Sequence, residues 1–521
     1  MNRAAVPVLC AVFGFFAMLV QFYADLRAGP YVAVVSSTAV CLFLFCLKQQ
    51  YRQAMAVQSL TIAFAMPLVA WSLSNVWALY LVMGLWVPLM AGRFDRIAPV
   101  YLLSFLLLPS LDTEAVIGGV KLFNFGVLDA LAIGAALAIY CNPAKGRALL
   151  QSDVWVCVLL LTFGAALSRE TSLTHFLRTS VNIVFDFGLP YYVLSRGLRS
   201  IEELRAAMRW LACGGVILSA ILVFEVSRAW AIYRELYALY ELPTLILIKS
   251  RGGLLRAGGP FVEPTSIAMI MAICLVALWL LRDQFRSRLH FYGLAAVIFI
   301  GLSAPQSRGA WIGCFFALAV SDIFLGRYAA LARKVLVVAA GVTVVFTAAQ
   351  FSPYLSESVG LSGHSSETSD YRRELLRRGL EEFWGSPLIG YSTAELEVRL
   401  EDMRQGEGII DYVNTYVWIG LIAGPVGLAA FFGTFLHFLR RIRRMSAAAE
   451  DRQTAQTAAF AFSYLAMLLE MLFFTSFGER PAFLTFGLLG FAAALLSIRR
   501  PVPVVAPVPE VPRGAVLVAG T

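Results

Sequence analysis

The groups able to do chemistry in this sequence are concentrated in two hydrophilic stretches, residues 227–264 and 353–411. The first contains KSRGGLLRAGGPFVEP, in which Arg251 and Arg256 flank a Gly-Gly pair and Gly258-Gly259-Pro260 leads on to Glu263. Guanidinium groups pair bidentately with phosphate oxygens, and glycines let backbone amides approach a ligand, so this composition suits a diphosphate. The second contains SETSDYRRELLRRGLEEFWGSPLIGY, where Arg372, Arg373, Arg377 and Arg378 fall on successive turns of a helix. Arg308, in APQSRGAW, lies where two apolar runs meet, a place where an arginine can also simply snorkel. Three groups in or beside these stretches could move a proton: Glu263, His364 and Asp411. His364, within LSGHSSETSD, also reads as a solvated loop histidine.

A third polar feature lies inside an apolar run. In THFLRTSVNIVFDFGLPYY, His175, Arg178, Asn182 and Asp186 are spaced by three, four and four, which places them on one face of a helix. Ionisable groups at that depth face a bundle interior or a wet cavity, so Arg178 is a candidate for substrate, and a buried Arg178–Asp186 contact through Asn182 is the structural alternative. The sequence has no phosphate loop, GxGxxG, HExxH, CxxC or GxSxG motif and no Asp-x-Asp pair, so the expected chemistry uses neither a metal nor any other cofactor.

The elements that must position these groups are membrane helices. Apolar residues make up 59% of the 521 residues and charged residues 14%, and mean hydropathy is +0.75. The expected fold class is all-α, a polytopic bundle of about 14–16 spans crossing a core about 30 Å thick. Around the two stretches the expected spans are 264–281, 291–305, 309–326, 335–351, 412–438 and 455–474, and earlier ones include 122–141 and 176–195. Residues 1–150 read as N-terminal spans and 151–500 as the working region with loops 227–264 and 351–411; the Pro- and Val-rich 501–521 reads as a disordered cytoplasmic tail. The eight cysteines lie nearly all within apolar runs and read as small core residues. Residues 230–248, WAIYRELYALYELPTLILI, read as an amphipathic helix in the interface.

The formal net charge of +9 does not indicate nucleic acid, because the basic residues sit between spans. With a cytoplasmic N-terminus, most of them, including Arg440, Arg441, Arg443 and Arg444, fall on the cytoplasmic side. This puts both termini in the cytoplasm of a multi-pass inner-membrane protein and both long loops on the periplasmic face. Arginines kept there against the trend call for an anion.

The ordered set RAGGPFVEPTSIAM (256–269), LSAPQSRGAWIG (302–313), DYRRELLRRGLEEFWGSPLIGY (370–391) and DYVNTYVWIGLIAGPVGL (411–428) resembles the O-antigen ligase and Wzy-type polymerase superfamily, over about residues 170–490. Its members show Arg-x-x-Gly-x-Phe-x-x-Pro at a span start, Ser-Arg-Gly between spans, an Arg-rich stretch ending in Pro-Leu-x-Gly, and His-Asn opening the next span. The resemblance implies a metal-independent inverting glycosyltransferase of the GT-C type. Its donor would be a glycan on undecaprenyl diphosphate, held by Arg256, Arg308 and Arg372, with Arg251, Arg373 and Arg377 as further contacts. Of the last motif Asn414 and Tyr416 are retained, but Val413 stands where the ligases carry the histidine that serves as base. That departure favours a polysaccharide polymerase, for an exopolysaccharide or O-antigen, over a ligase acting on lipid A core or protein. It leaves Glu263, His364 or Asp411 to take the proton. A flippase and a chain-length regulator are the expected partners, while a lipid-linked glycan transporter and a non-catalytic assembly component are the alternative functions.

Overall fold

The computed structural model describes residues 5–23, 27–142, 149–243, 248–352, 356, 365–386, 388–404, 410–447, 451–477 and 479–498. The chain is 78% helical and nearly all-α, as a helical membrane protein should be. The first half comprises α1 (Ala5–Tyr23), α2 (Ala28–Cys46), α3 (Gln49–Ser72), α4 (Val76–Ala91), α5 (Ile97–Leu107), the hairpin β1 (Asp112–Ile117) and β2 (Val120–Gly126), α6 (Val127–Tyr140), α7 (Asp153–Leu167), α8 (Leu173–Ile183), α9 (Leu189–Gly197) and α10 (Ile201–Arg228). After the short α11 (Arg234–Leu239) and a minimal hairpin of β3 (Ser250–Arg251) and β4 (Leu254–Leu255) come α12 (Pro264–Leu280), α13 (Arg288–Ser303), α14 (Arg308–Phe324) and α15 (Tyr328–Ala349). The loop helices α16 (Ser365–Gly385) and α17 (Thr393–Arg399) then precede α18 (Thr415–Ala447), α19 (Arg452–Met471) and α20 (Glu479–Ser497). Among the described residues five helices are both long and apolar enough to cross a membrane: α2, α3, α10, α15 and α18. Shorter apolar helices, among them α4, α6, α7, α12, α13 and most of α20, pack with them.

With lipid on the outside, the bundle is held by close packing and by polar clamps rather than by a hydrophobic gradient. Small residues allow the close approaches: a Cβ on Gly134 of α6 would fall 1.8 Å from Gly84 O of α4, and one on Gly301 of α13 would fall 2.4 Å from Ser219 Oγ of α10. One end of the bundle is clamped by buried arginines. Arg205 donates to Gln456 Oε1 (3.0 Å) and Asp283 Oδ2 (2.8 Å), Arg209 to Gln284 Oε1 (3.1 Å), and Arg196 to Asp153. Some of the basic residues that the sequence assigns to topology therefore also lock α10 to the turn before α13 and to α19, and α9 to α7. We call this the basic end and the opposite one the loop end.

Two expectations are corrected. Residues 112–126 form a β-hairpin, so the span expected at 122–141 begins at Val127; Trp77 and Tyr80 of α4 pack on Phe125 and give that hairpin its apolar footing. The interface helix expected at 230–248 is reduced to α11, because Ala229 adopts a left-handed conformation (φ 50°) and Leu242 and Pro243 follow a turn; residues 244–247 lie outside the described set. The Pro-rich tail and His364 also lie outside it.

Candidate functional site at the loop end

Four segments separated in sequence meet at the loop end: the turn before α12, the α13–α14 junction, the loop helix α16, and the chain on either side of the α18–α19 pair. Each is set by local chemistry. Glu225, near the end of α10 and 1% exposed, accepts from Ile232 N (3.0 Å) and Gly259 N (2.9 Å), and so ties both halves of the 227–264 loop to one buried carboxylate. The glycine turn then folds tightly: Gly259 has φ 53°, and a Cβ on Gly258 would sit 2.2 Å from Val262 O. Val262 itself is held at φ 59°, a conformation that a β-branched residue adopts only under constraint. Glu263 closes the turn by capping α12, accepting from Thr265 N (3.1 Å), Ser266 N (2.8 Å) and the Ser266 hydroxyl.

At the α13–α14 junction Gln306 is also left-handed (φ 54°), which turns two consecutive carbonyls towards the glycine loop. Arg256 Nε donates to Pro305 O (3.1 Å) and Arg251 Nη1 to Gln306 O (2.8 Å). Both bonds are to backbone carbonyls, which orient the two guanidiniums. Arg372 reaches in from α16 and donates to Phe474 O (3.4 Å) in the turn after α19. Tyr371 steadies α16 by donating to Asp411 O (3.1 Å), and Asp411 Oδ1 accepts from Ser476 (3.2 Å).

The electrostatics show how close these groups are. Burial, together with the positive charges of Arg251, Arg308 and Arg372, pushes Arg256 down to about 10, with Glu263 alone opposing. Arg372 is lowered by the protein packed around its guanidinium and by Arg308, against Asp411. Asp411 is raised above the ordinary carboxylate range, chiefly by burial and also by Glu263, against the Ser476 hydrogen bond and the charges of Lys249 and Arg372. Lys249, Arg251, Arg256, Arg308 and Arg372 thus gather with Glu263 and Asp411 close enough to act on one another electrostatically, a setting rich in cations that suits an anion. A small pocket opens beside them, lined in part by Glu225, Arg234, Lys249, Arg256, Gly258, Gly259 and Val262. Among the described residues no group of three or more His, Cys, Asp or Glu side chains is placed to hold a metal ion.

Of the residues singled out in the sequence, Arg251, Arg256, Glu263, Arg308, Arg372 and Asp411 are brought together. Arg373 is exposed on α16. Arg377 is turned to solvent between Glu374 and Glu381, as the 3–4 spacing of charges on that face allows. Asn414 caps α18, accepting from Tyr416 N (3.0 Å) and Val417 N (3.2 Å), and Tyr416 donates to Leu469 O while its ring packs on Phe432. Arg178 holds the β1–β2 hairpin through Lys121 O (2.7 Å). A π-turn over Val184–Gly188, which contains Asp186, interrupts the helix between α8 and α9. Sequence reasoning missed Lys249 as an individual group, although it lies in the quoted KSRGG, and missed Ser476, for which no motif gives a signal. It also missed Arg169, whose guanidinium binds Gly390 O (2.7 Å), Tyr391 O (3.0 Å) and Ile422 O, and so seats the Pro-Leu-Ile-Gly turn against α18.

No curated protein matches the chain. Residues 293–432, which run from α13 into α18 and include Arg308, Arg372 and Asp411, match the family model described as O-Antigen ligase.

Proposed function

We propose that this protein is a polysaccharide polymerase that transfers a glycan from a polyprenyl diphosphate to a second lipid-linked unit at the loop end, the face that the distribution of basic residues assigns to the periplasm. O-antigen ligase-family activity at a membrane is the coarser statement that the matched segment supports. The observation that carries the finer one is the convergence of Arg251, Arg256, Arg308, Arg372 and Lys249 from separate segments onto one spot beside two carboxylates.

In this reading the acceptor hydroxyl attacks the anomeric carbon, its proton passes to a carboxylate, and the bond to the diphosphate breaks with inversion. Negative charge grows on the leaving diphosphate, and guanidiniums already oriented by backbone carbonyls meet it without reorganising. Asp411 is the base we favour. Its raised affinity for protons suits general-base work, and the bond it accepts comes from a hydroxyl. Glu263, by contrast, would have to give up two amide hydrogen bonds of the α12 cap. Val413 at the ligase histidine position supports the polymerase over transfer to lipid A core or protein.

The test is a purified protein given lipid-linked oligosaccharide with no ion gradient. Longer lipid-linked glycan should form, and Arg256→Ala or Arg372→Ala should reduce it by about 10²-fold or more. Polymer of normal length and amount from both variants would sink the proposal, as would a protein that only relocates the donor across the bilayer.

A further inference from the structure

The loop segment carries an apolar surface that the transferase reading does not use. Leu380, Trp384 and Leu388 recur every fourth residue and, with Ile389, form a stripe along the end of α16 and the turn after it. They are 48%, 75%, 68% and 60% exposed in that order. Four large side chains left bare side by side on a loop otherwise rich in ion pairs mark an interaction surface.

The height of the stripe indicates what covers it. Arg440 and the arginines after it close the basic end of α18. Counting back at 1.5 Å per residue, the unbroken part of α18 reaches Pro425 after about 23 Å, and the non-helical Gly424 (φ 60°, ψ −162°) then breaks the helix, so this break lies near the far boundary of a core about 30 Å thick. The turn after α16 is seated at this level. Tyr391 N donates to Leu421 O (2.7 Å), and Gly390 and Gly424 lie so close to the facing backbone that added Cβ atoms would fall 2.2 Å from Leu421 O and 2.4 Å from Leu388 O. Arg169 fixes the same level from the α7 side. The carbonyls here are also satisfied by side chains: Gly390 O by Ser386 Oγ (3.0 Å) and Arg169, Glu382 O by the Tyr391 hydroxyl (3.1 Å), and Ile422 O by Arg169. Backbone equipped in this way is suited to a place where water is scarce.

We propose that Leu380, Trp384, Leu388 and Ile389 are immersed in the lipid leaflet at the loop end. They anchor the far end of α16 in the bilayer while Arg372, three turns earlier, is held at the arginine cluster. A Trp at the boundary with aliphatic residues beside it is the composition that partitions there.

The test uses the full chain in phosphatidylethanolamine–phosphatidylglycerol vesicles, with exposed native cysteines replaced and one environment-sensitive fluorophore placed by Trp384→Cys, Leu388→Cys or Arg377→Cys. All three positions are exposed, so none of the substitutions empties the core. Labels at 384 and 388 should be quenched by acyl-chain-brominated lipid about twofold or more beyond the label at 377, and less than it by aqueous iodide. Iodide quenching at 384 and 388 equal to that at 377 would overturn the proposal by showing a hydrated surface. Shielding from both quenchers would overturn it by showing a protein cover, whether a second copy or another chain. No catalytic readout is involved, so failure here leaves the transferase reading standing, and the reverse also holds.

Discussion

Replacing Arg256 by methionine should separate binding from folding, because the structure gives the two effects opposite signs. Folding pushes Arg256 from the ordinary arginine range down to about 10. Each tenfold loss of proton affinity corresponds to about 1.4 kcal/mol, and discounting for the part of the side chain that solvent reaches leaves a penalty of about 1–3 kcal/mol for holding the charge in place. The sign is that of a depressed base. The guanidinium is charged in both folded and unfolded chains below about 10, so the full penalty is present at neutral pH and disappears only as pH rises from there into the ordinary arginine range. Against it stands the bond from Nε to Pro305 O, worth about 1–2 kcal/mol. Arg256→Met keeps the stem, removes the repulsion on Arg251, Arg308 and Arg372, and leaves the carbonyl of buried Pro305 without that donor. The ligand-free variant should therefore melt no lower than the parent.

The same change should abolish ligand-induced stabilisation. In the parent a diphosphate relieves repulsion among the cations, so inorganic pyrophosphate or a short-chain polyprenyl diphosphate should raise the melting temperature in detergent. In Arg256→Met most of that shift should vanish. Arg205→Met provides the contrast: its guanidinium is paired with Asp283 and Gln456, and removing it strands buried partners, so it should lower the ligand-free melting temperature and leave the ligand shift in place. If Arg256→Met melts as low as Arg205→Met and still responds to pyrophosphate, Arg256 is a structural clamp and holds no diphosphate.

Three further outcomes follow from the same geometry. Transfer should fall as pH drops through the raised pKa of Asp411; Asp411→Asn should remove that limb with a loss of about 10²-fold or more, and Ser476→Ala, by deleting a hydrogen bond that favours the carboxylate, should move the limb to higher pH in a rate–pH profile. Gly424→Ala should be destabilised by about 2 kcal/mol or more in thermal unfolding, since φ is 60° and the new Cβ would meet Leu388 O at 2.4 Å. Arg377→Ala should retain parental transfer, because its partners are Glu374 and Glu381 on the solvent face, whereas Arg372→Ala should not; a product assay on the pair distinguishes the two arginines.

Helix positions were legible because apolar runs bounded by arginines and glycines leave few alternatives. α12 and α14 match the expected spans to within two residues. The β1–β2 hairpin was not, since its strands have the same apolar content as a helix start and differ by the Gly118-Gly119 turn, with both glycines left-handed. The arginines of the site were legible as residue types but not as a site. Arg372 and Arg377 are one helical turn and a fraction apart on α16, and which of them faces the cluster depends on how Tyr371 and Leu375 dock against residues 403–417, a tertiary matter. The π-turn that contains Asp186 is likewise something no spacing rule anticipates.

The departure at Val413 is the point where sequence and structure bear on each other most directly. Read alone, it removes the ligase histidine and leaves Glu263, His364 or Asp411 to serve as base. In the structure Val413 N donates to Asp411 O (2.8 Å), a tight turn that folds the chain back just before the Asn414 cap starts α18. This turn holds the carboxylate of Asp411 among Lys249, Glu263, Arg372 and Ser476, while Val413 packs with the apolar residues around Leu375 and Leu421. A carboxylate two residues upstream can thus occupy the electrostatic position that an imidazole would need, and it carries a negative charge into a cluster dominated by guanidiniums. On this reading Val413→His should not raise the rate of the parent, because the site already has its base. In the Asp411→Asn background the same substitution should restore part of the lost rate, with a pH limb moved towards the imidazole range of about 6–7. Failure to restore any activity, with the protein folded and still stabilised by pyrophosphate, would mean that residues 411 and 413 do not serve one function.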